Sequence, residues 1–139
     1  MSKKIRFLLA LMLCVTSGMS AAQDKAHPID IWLQHAIDKD PSTAGMREAT
    51  NKAREMWDKE LNKAYQHLMN RLPSSKQEVL RVSQRAWLKF RDADGQVISK
   101  ITASQQGTIF QLTATEYGMR LTKTRALQLN DYDMSFDGD

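Results

Sequence analysis

The sequence predicts an all-α protein, a small bundle of about four helices built on a long antiparallel helix hairpin. Apolar residues recur at steps of three and four through four separate stretches, which is the spacing that lines one face of an α-helix. Short breaks containing Pro, Ser or Gly part these stretches, and no segment shows the period-two alternation of a strand. Neither an internal repeat nor a low-complexity tract interrupts the pattern.

Before the first helix comes "MSKKIRFLLALMLCVTSGMSAAQ". Lys3, Lys4 and Arg6 form a charged start, Phe7 to Val15 an apolar run, and Ser20-Ala21-Ala22 a small-residue cleavage site between Ala22 and Gln23. That is the pattern of a secretory signal peptide over residues 1–22. The apolar run is far shorter than the roughly 20 residues a membrane-spanning helix needs, and no later stretch comes close, so no membrane anchor is expected. Cys14 follows Leu13 inside the run and lacks the small residue that precedes a lipid-acceptor cysteine. The expected location is periplasmic or secreted.

Cleavage removes three of the 20 basic residues and none of the 16 acidic ones, which leaves 17 against 16 and a net charge of +1 instead of +4. Nucleic-acid binding rests on clustered phosphate-neutralising charge, and here both signs are mixed along the helices, so no nucleic-acid partner is expected. The only cysteine, Cys14, leaves with the leader, so the domain over residues 23–130 has to be held by its own core without a disulfide.

Pro28 suits the first turn of the opening helix, whose apolar face is Ile29, Trp32, Leu33, Ala36 and Ile37. Pro41 disfavours helix at Asp40, and Ser42 or Thr43 can cap the next helix. From Met46 one seam runs through Ala49, Ala53, Trp57, Leu61, Ala64, Leu68 and Leu72. Pro73 stops this long helix, and Ser75 with Glu78 has the spacing of a capping box for the third. The third seam is Val79, Val82, Ala86, Phe90, Ala93, Val97 and Ile101, and the short connection makes the second and third helices antiparallel neighbours. After Gly107 a fourth helix is expected from about Thr108 to Leu129, with Phe110, Ala114, Tyr117, Leu121 and Thr124 inward. Residues 131–139 read as an acidic tail.

Within "SQRAWLKFRDAD", Ser83 to Asp94, the side chains of Gln84, Trp87 and Arg91 share one stripe beside the seam. An antiparallel hairpin turning at Pro73 brings Arg91 within a helical turn of Glu55 and Asp58, so Arg91 is expected to pair with one of these carboxylates and fix the register. The other reading is a partner-facing hot spot, since Trp and Arg dominate interfaces.

"REMWDKELNKAYQHLMNRL", followed by "LRVSQRAWLKFRDAD" and a segment ending "RLTKTRALQL", resembles the N-terminal domain family of LprI-type lysozyme inhibitors. Trp57, Asp58, Glu60, Leu61, Asn62, Tyr65 and Leu68 carry the resemblance in one helix, and Leu80, Gln84, Arg85, Trp87, Phe90, Arg91 and Asp92 in the next. "DKDPSTAGM" resembles a segment of the exported Gram-negative members. Members usually hold cysteines near positions where this chain has Ala36, Ala49 and Gly95. The resemblance implies a protein partner, a lysozyme or another cell-wall hydrolase. Two surfaces suit a cationic enzyme: the loop with Asp38, Lys39, Asp40, Ser42 and Thr43, and the tail with Asp131, Tyr132, Asp133, Phe136 and Asp137.

No catalytic, metal-binding or cofactor-binding set is expected. His27, His35 and His67 lack metal-ligand spacing, Asp92 and Asp94 point to different faces of one helix, and no phosphate loop or serine elbow is present. The alternative to an inhibitor is a chaperone-like envelope binder presenting Met46, Met56, Met69, Met119 and Met134 to unfolded chains. An apolar patch left exposed by the folded bundle would favour that alternative.

Overall fold

The computed structural model describes residues 26–136, which form four helices: α1 (Pro28–Lys39), α2 (Thr43–Arg71), α3 (Ser74–Ala103) and α4 (Thr108–Phe136). The expected signal peptide, with Ala22 and Gln23, lies outside the described residues.

α1 starts where Pro28 fixes the first turn and the His27 imidazole accepts a hydrogen bond from the Ile29 amide. Its break is a compact corner. The Asp40 carboxylate accepts from the Ser42 amide at 3.1 Å, and the Ser42 hydroxyl accepts from the Gly45 amide at 3.0 Å, capping α2. A Cβ on Gly45 would lie 2.2 Å from Asp40 Cγ, so the corner closes this tightly only over glycine. The second sharp turn, between α3 and α4, requires glycine for its backbone, because Gly107 has φ +112°.

The seam expected for α2 is the core. Ala49, Ala53, Trp57, Leu61, Ala64 and Leu68 are buried, with Met46 and Leu72 half-buried at its ends. Its main neighbour is α4, which lies parallel to it along its length. Arg47 hydrogen-bonds Gln111 near one end, and Arg71 pairs with Asp133 near the other. Close approach depends on small residues: Ala53 and Ala126 are fully buried, and Gly118 faces Arg54. The buried hydroxyls of Thr50 and Thr122 donate back to Met46 and Gly118 carbonyls of their own helices, so the interface holds no unsatisfied hydroxyl there.

α3 departs most from expectation. Its predicted seam faces solvent: Val79 is 69% exposed, Phe90 52% and Ile101 57%, with Val82, Ala86, Ala93 and Val97 exposed as well. The face turned inward is Leu80, Gln84 and Trp87, a quarter-turn or more away. α2 and α3 are antiparallel, as expected, but at backbone distance α3 packs on α4 and stands off from α2. The capping box does not form. Pro73 is the N-cap without a side-chain bond, Glu78 pairs with Arg81 and Arg85, and Gln77 Nε2 instead donates to the Met69 and Leu72 carbonyls that end α2.

α4 runs on to Phe136 instead of ending near Leu129, because Asp133 is held by α2. Its buried apolar residues are Leu112, Met119, Ala126 and Leu129, while Phe110, Ala114, Tyr117 and Leu121 are half-buried and Thr124 is exposed. A helix packed by neighbours on two sides has no single apolar stripe for a periodicity argument to find.

Candidate partner-binding site

Because α3 stands off from α2, a groove opens between them over α4. Near the hairpin it has a volume of about 370 Å³ and is lined by Asp58, Leu61, Asn62 and Tyr65 from α2 and by Gln84, Trp87 and Arg91 from α3. Further along it widens to about 1000 Å³, where Glu55, Tyr117 and Gly118 join Asp58 and Arg91. The two stretches that carry the family resemblance therefore form the opposite walls of one groove. Five of their residues are exceptions: Trp57, Leu68 and Leu80 lie beneath the groove in the core, and Glu60 and Phe90 lie outside it.

Behind the α3 wall of the groove lies a residue that sequence reasoning missed. Arg125 is only 4% exposed. Its Nε donates to Gln84 Oε1 at 3.0 Å, Nη2 to the Ser83 hydroxyl at 3.2 Å and Nη1 to Gln128 Oε1 at 2.7 Å. Its carbon Cζ lies 5.9 Å from the Trp87 ring centre, and Arg91 covers the same ring from 5.4 Å. Burial lowers the Arg125 pKa, while the Tyr132 hydroxyl opposes the shift. An arginine nonetheless stays charged, so this is a buried cation fixed by neutral oxygens. Gln84 and Trp87 thus belong to one polar clamp between α3 and α4. Gln84 next to Trp87 was the available signal, but nothing local linked it to position 125.

Arg91 does not pair with Glu55 or Asp58. Although both carboxylates lie along the same groove, its guanidinium binds Asp92, the next residue, at 2.9 Å. The standoff of α3 leaves the α2 carboxylates out of direct reach. Asp58 is instead engaged by Asn62, whose Nδ2 donates to its backbone and carboxylate oxygens. A second tie to α4 is Asp94, which accepts from the Tyr117 hydroxyl. That hydrogen bond, then burial, raises the Tyr117 pKa above its ordinary value.

Trp57 is the centre of the core, with the His27 ring tilted at 36° against it at 4.3 Å and Lys123 Nζ at 5.4 Å, and its indole N–H has no protein partner. Lys123 also pairs with Asp30 at 2.7 Å, which ties α1 to α4.

The two acidic candidates lie at opposite ends of α2, some 40 Å apart at about 1.5 Å per residue. At the corner, Asp38 accepts from Gln34, Asp40 and Ser42 make the capping bonds above, and all three side chains are exposed. The Ser42 hydrogen bonds keep the Asp40 carboxyl below its ordinary pKa, so it is ionised at neutral pH. At the other end Asp131 and Tyr132 are exposed, but Asp133 is bound by His67 Nε2 at 3.2 Å and Arg71 Nη1 at 2.9 Å. Asp137 lies outside the described residues.

Among the described residues there is no cluster of three His, Cys, Asp or Glu that could hold a metal, and no helix is long and apolar enough to cross a membrane. The family model described as "Lysozyme inhibitor LprI" matches residues 36–129, well over half of the chain. A crystal structure of an uncharacterised protein from Burkholderia thailandensis is similar, with 28% identity and a TM-score of 0.70 over 76% of this chain. The match takes in 52% of that protein, so this chain spans about half its length. No curated protein matches.

Proposed function

The chain belongs to the LprI lysozyme inhibitor family, and on that premise we propose that it is an exported protein that binds and inhibits a lysozyme or a related cell-wall hydrolase. The family match over residues 36–129 is the observation that carries this reading. Such enzymes hold catalytic carboxylates in a cleft, and many are cationic outside it. The α1–α2 corner suits docking on a cationic rim: it exposes Asp38 and Asp40, and its capping bonds hold its shape before any partner arrives. No role in the reading requires catalysis by the chain itself. Lysis of cell-wall substrate by a cationic lysozyme, followed by turbidity, tests it. Inhibition should be strongest at low salt and weaken several-fold as the screening length falls to roughly 8 Å near physiological ionic strength. Asp38→Asn/Asp40→Asn should weaken it chiefly through slower association. No inhibition at low salt and large molar excess would overturn the reading for that lysozyme.

One observation favours a second reading, a chaperone-like binder: the apolar residues of α3 stay exposed in the folded bundle. Suppression of the aggregation of a reduced, unfolding client, lost on Phe90→Glu, is its test.

A further inference from the structure

The exposed face of α3 has an internal order that a chance apolar patch would lack. Val79, Val82, Ala86, Phe90, Ala93, Val97 and Ile101 repeat with an eleven-residue period, Val79 to Phe90 to Ile101 and Ala86 to Val97. That period is about 3.67 residues per turn, close to the helix's own 3.6, so the stripe stays on one side over its whole length instead of winding round. It also reads the same in both directions. From Phe90 outward each way come one alanine and then two β-branched residues, at offsets of −4, −8 and −11 on one side and +3, +7 and +11 on the other.

A surface that reads the same reversed is what a two-fold interface requires, because the same patch serves both copies and each contact occurs twice. From this palindrome and the exposure of every member of the stripe we propose that α3 is the interface of an antiparallel homodimer, with its two-fold axis passing beside Phe90. Val79 then meets Ile101 of the second copy, Val82 meets Val97, and Ala86 meets Ala93. The two Phe90 rings meet at the axis, and the flanking alanines leave room for them.

Charge at the rim agrees. Glu78 and Lys100 lie on one flank of the stripe near its opposite ends, and both are exposed. In an antiparallel pair a flank faces itself, so Glu78, which Arg81 and Arg85 of its own helix also hold, lies opposite Lys100 of the second copy at both ends. Lys89 meets its own copy near the axis, a rim repulsion that keeps the association weak. Size points the same way. At about 1.5 Å per residue the stripe is roughly 33 Å long, and over a helix spacing near 10 Å it offers some 330 Å² per copy. That equals the largest apolar patch of a typical soluble monomer, which is often functional, and it is small for a permanent dimer. A second copy fits better than unfolded chains, since promiscuous binders use adaptable Met-rich surfaces, and this stripe is β-branched and aromatic with no methionine.

Sedimentation of the purified protein from about 1 μM to 1 mM should show a reversible monomer–dimer equilibrium in the micromolar range or weaker. Phe90→Glu should weaken it at least tenfold while circular dichroism and melting stay unchanged, because the side chain is exposed. Disulfide trapping fixes the geometry in a chain freed of its only native cysteine, Cys14. Phe90→Cys should cross-link to itself, Val79→Cys alone should not, and Val79→Cys with Ile101→Cys should. A monomer at all concentrations, a dimer indifferent to Phe90→Glu, or cross-linking equal at every position would overturn the proposal. These readouts do not involve lysozyme, so they stand or fall apart from the inhibitor reading.

Discussion

Two arginines on either side of one tryptophan carry different loads. Arg125 is buried and supplies hydrogen bonds to Gln84, Ser83 and Gln128, so its removal strands the buried Gln84 and the half-buried Ser83, while the exposed Gln128 turns to water. Arg125→Ala should cost about 2–4 kcal/mol by urea denaturation, since each stranded buried partner costs roughly 1–3 kcal/mol, partly recovered by water. Arg91 is paired with a largely exposed neighbour on its own helix. Arg91→Ala should therefore cost no more than about 1 kcal/mol, most of it from the lost cover over Trp87. Equal losses for the two variants would show that the clamp at Arg125 is misassigned. Only Arg91 stood out in the sequence, because its Trp lies four residues away; Arg125 gains its importance from contacts across 41 residues.

At the scale of elements, the end of α4 is a structural part of the bundle. Asp133 is bound twice by α2, and Tyr132 acts on the buried Arg125. Deleting residues 131–139 should lower stability by about 1–2 kcal/mol, which is modest because the ion pair is partly solvated. Asp133→Asn should reproduce most of the loss, whereas Asp131→Asn, exposed and outside the clasp, should not. A truncated protein as stable as its parent would mean that the clasp contributes nothing. A second test concerns the corner between α1 and α2, where Ala36 and Ala49 line the same hollow. Replacing both by cysteine should form a bridge worth roughly 2–4 kcal/mol under oxidising conditions, with a melting temperature that falls back when reductant is added.

For the whole molecule, the distribution of packing predicts the order of opening. α2 and α4 share the core, whereas α3 is tied to α4 mainly at the Arg125 clamp and the Asp94–Tyr117 bond. Amide hydrogen exchange under conditions where the protein is monomeric should therefore be slowest at the centres of α2 and α4 and fastest in α3 beyond Gly95, where little of the helix is buried. Uniform protection across the four helices would contradict this division into a core pair and a looser third helix. The same looseness holds the groove open.

The sequence by itself determined the four helices, their breaks at Pro41, Pro73 and Gly107, and the buried seam of α2, because each rests on spacing and backbone chemistry within a few residues. It also carried the family resemblance, most of whose residues line the groove. Which face of α3 turns inward was decided only by the tertiary structure. A regular apolar stripe records that a face avoids water, but it does not say whether the cover comes from the same chain. Here the buried Arg125 needs an amide and a hydroxyl, and Gln84 and Ser83 supply them, so α3 turns that side inward with Trp87. Its most hydrophobic stripe is left facing outward.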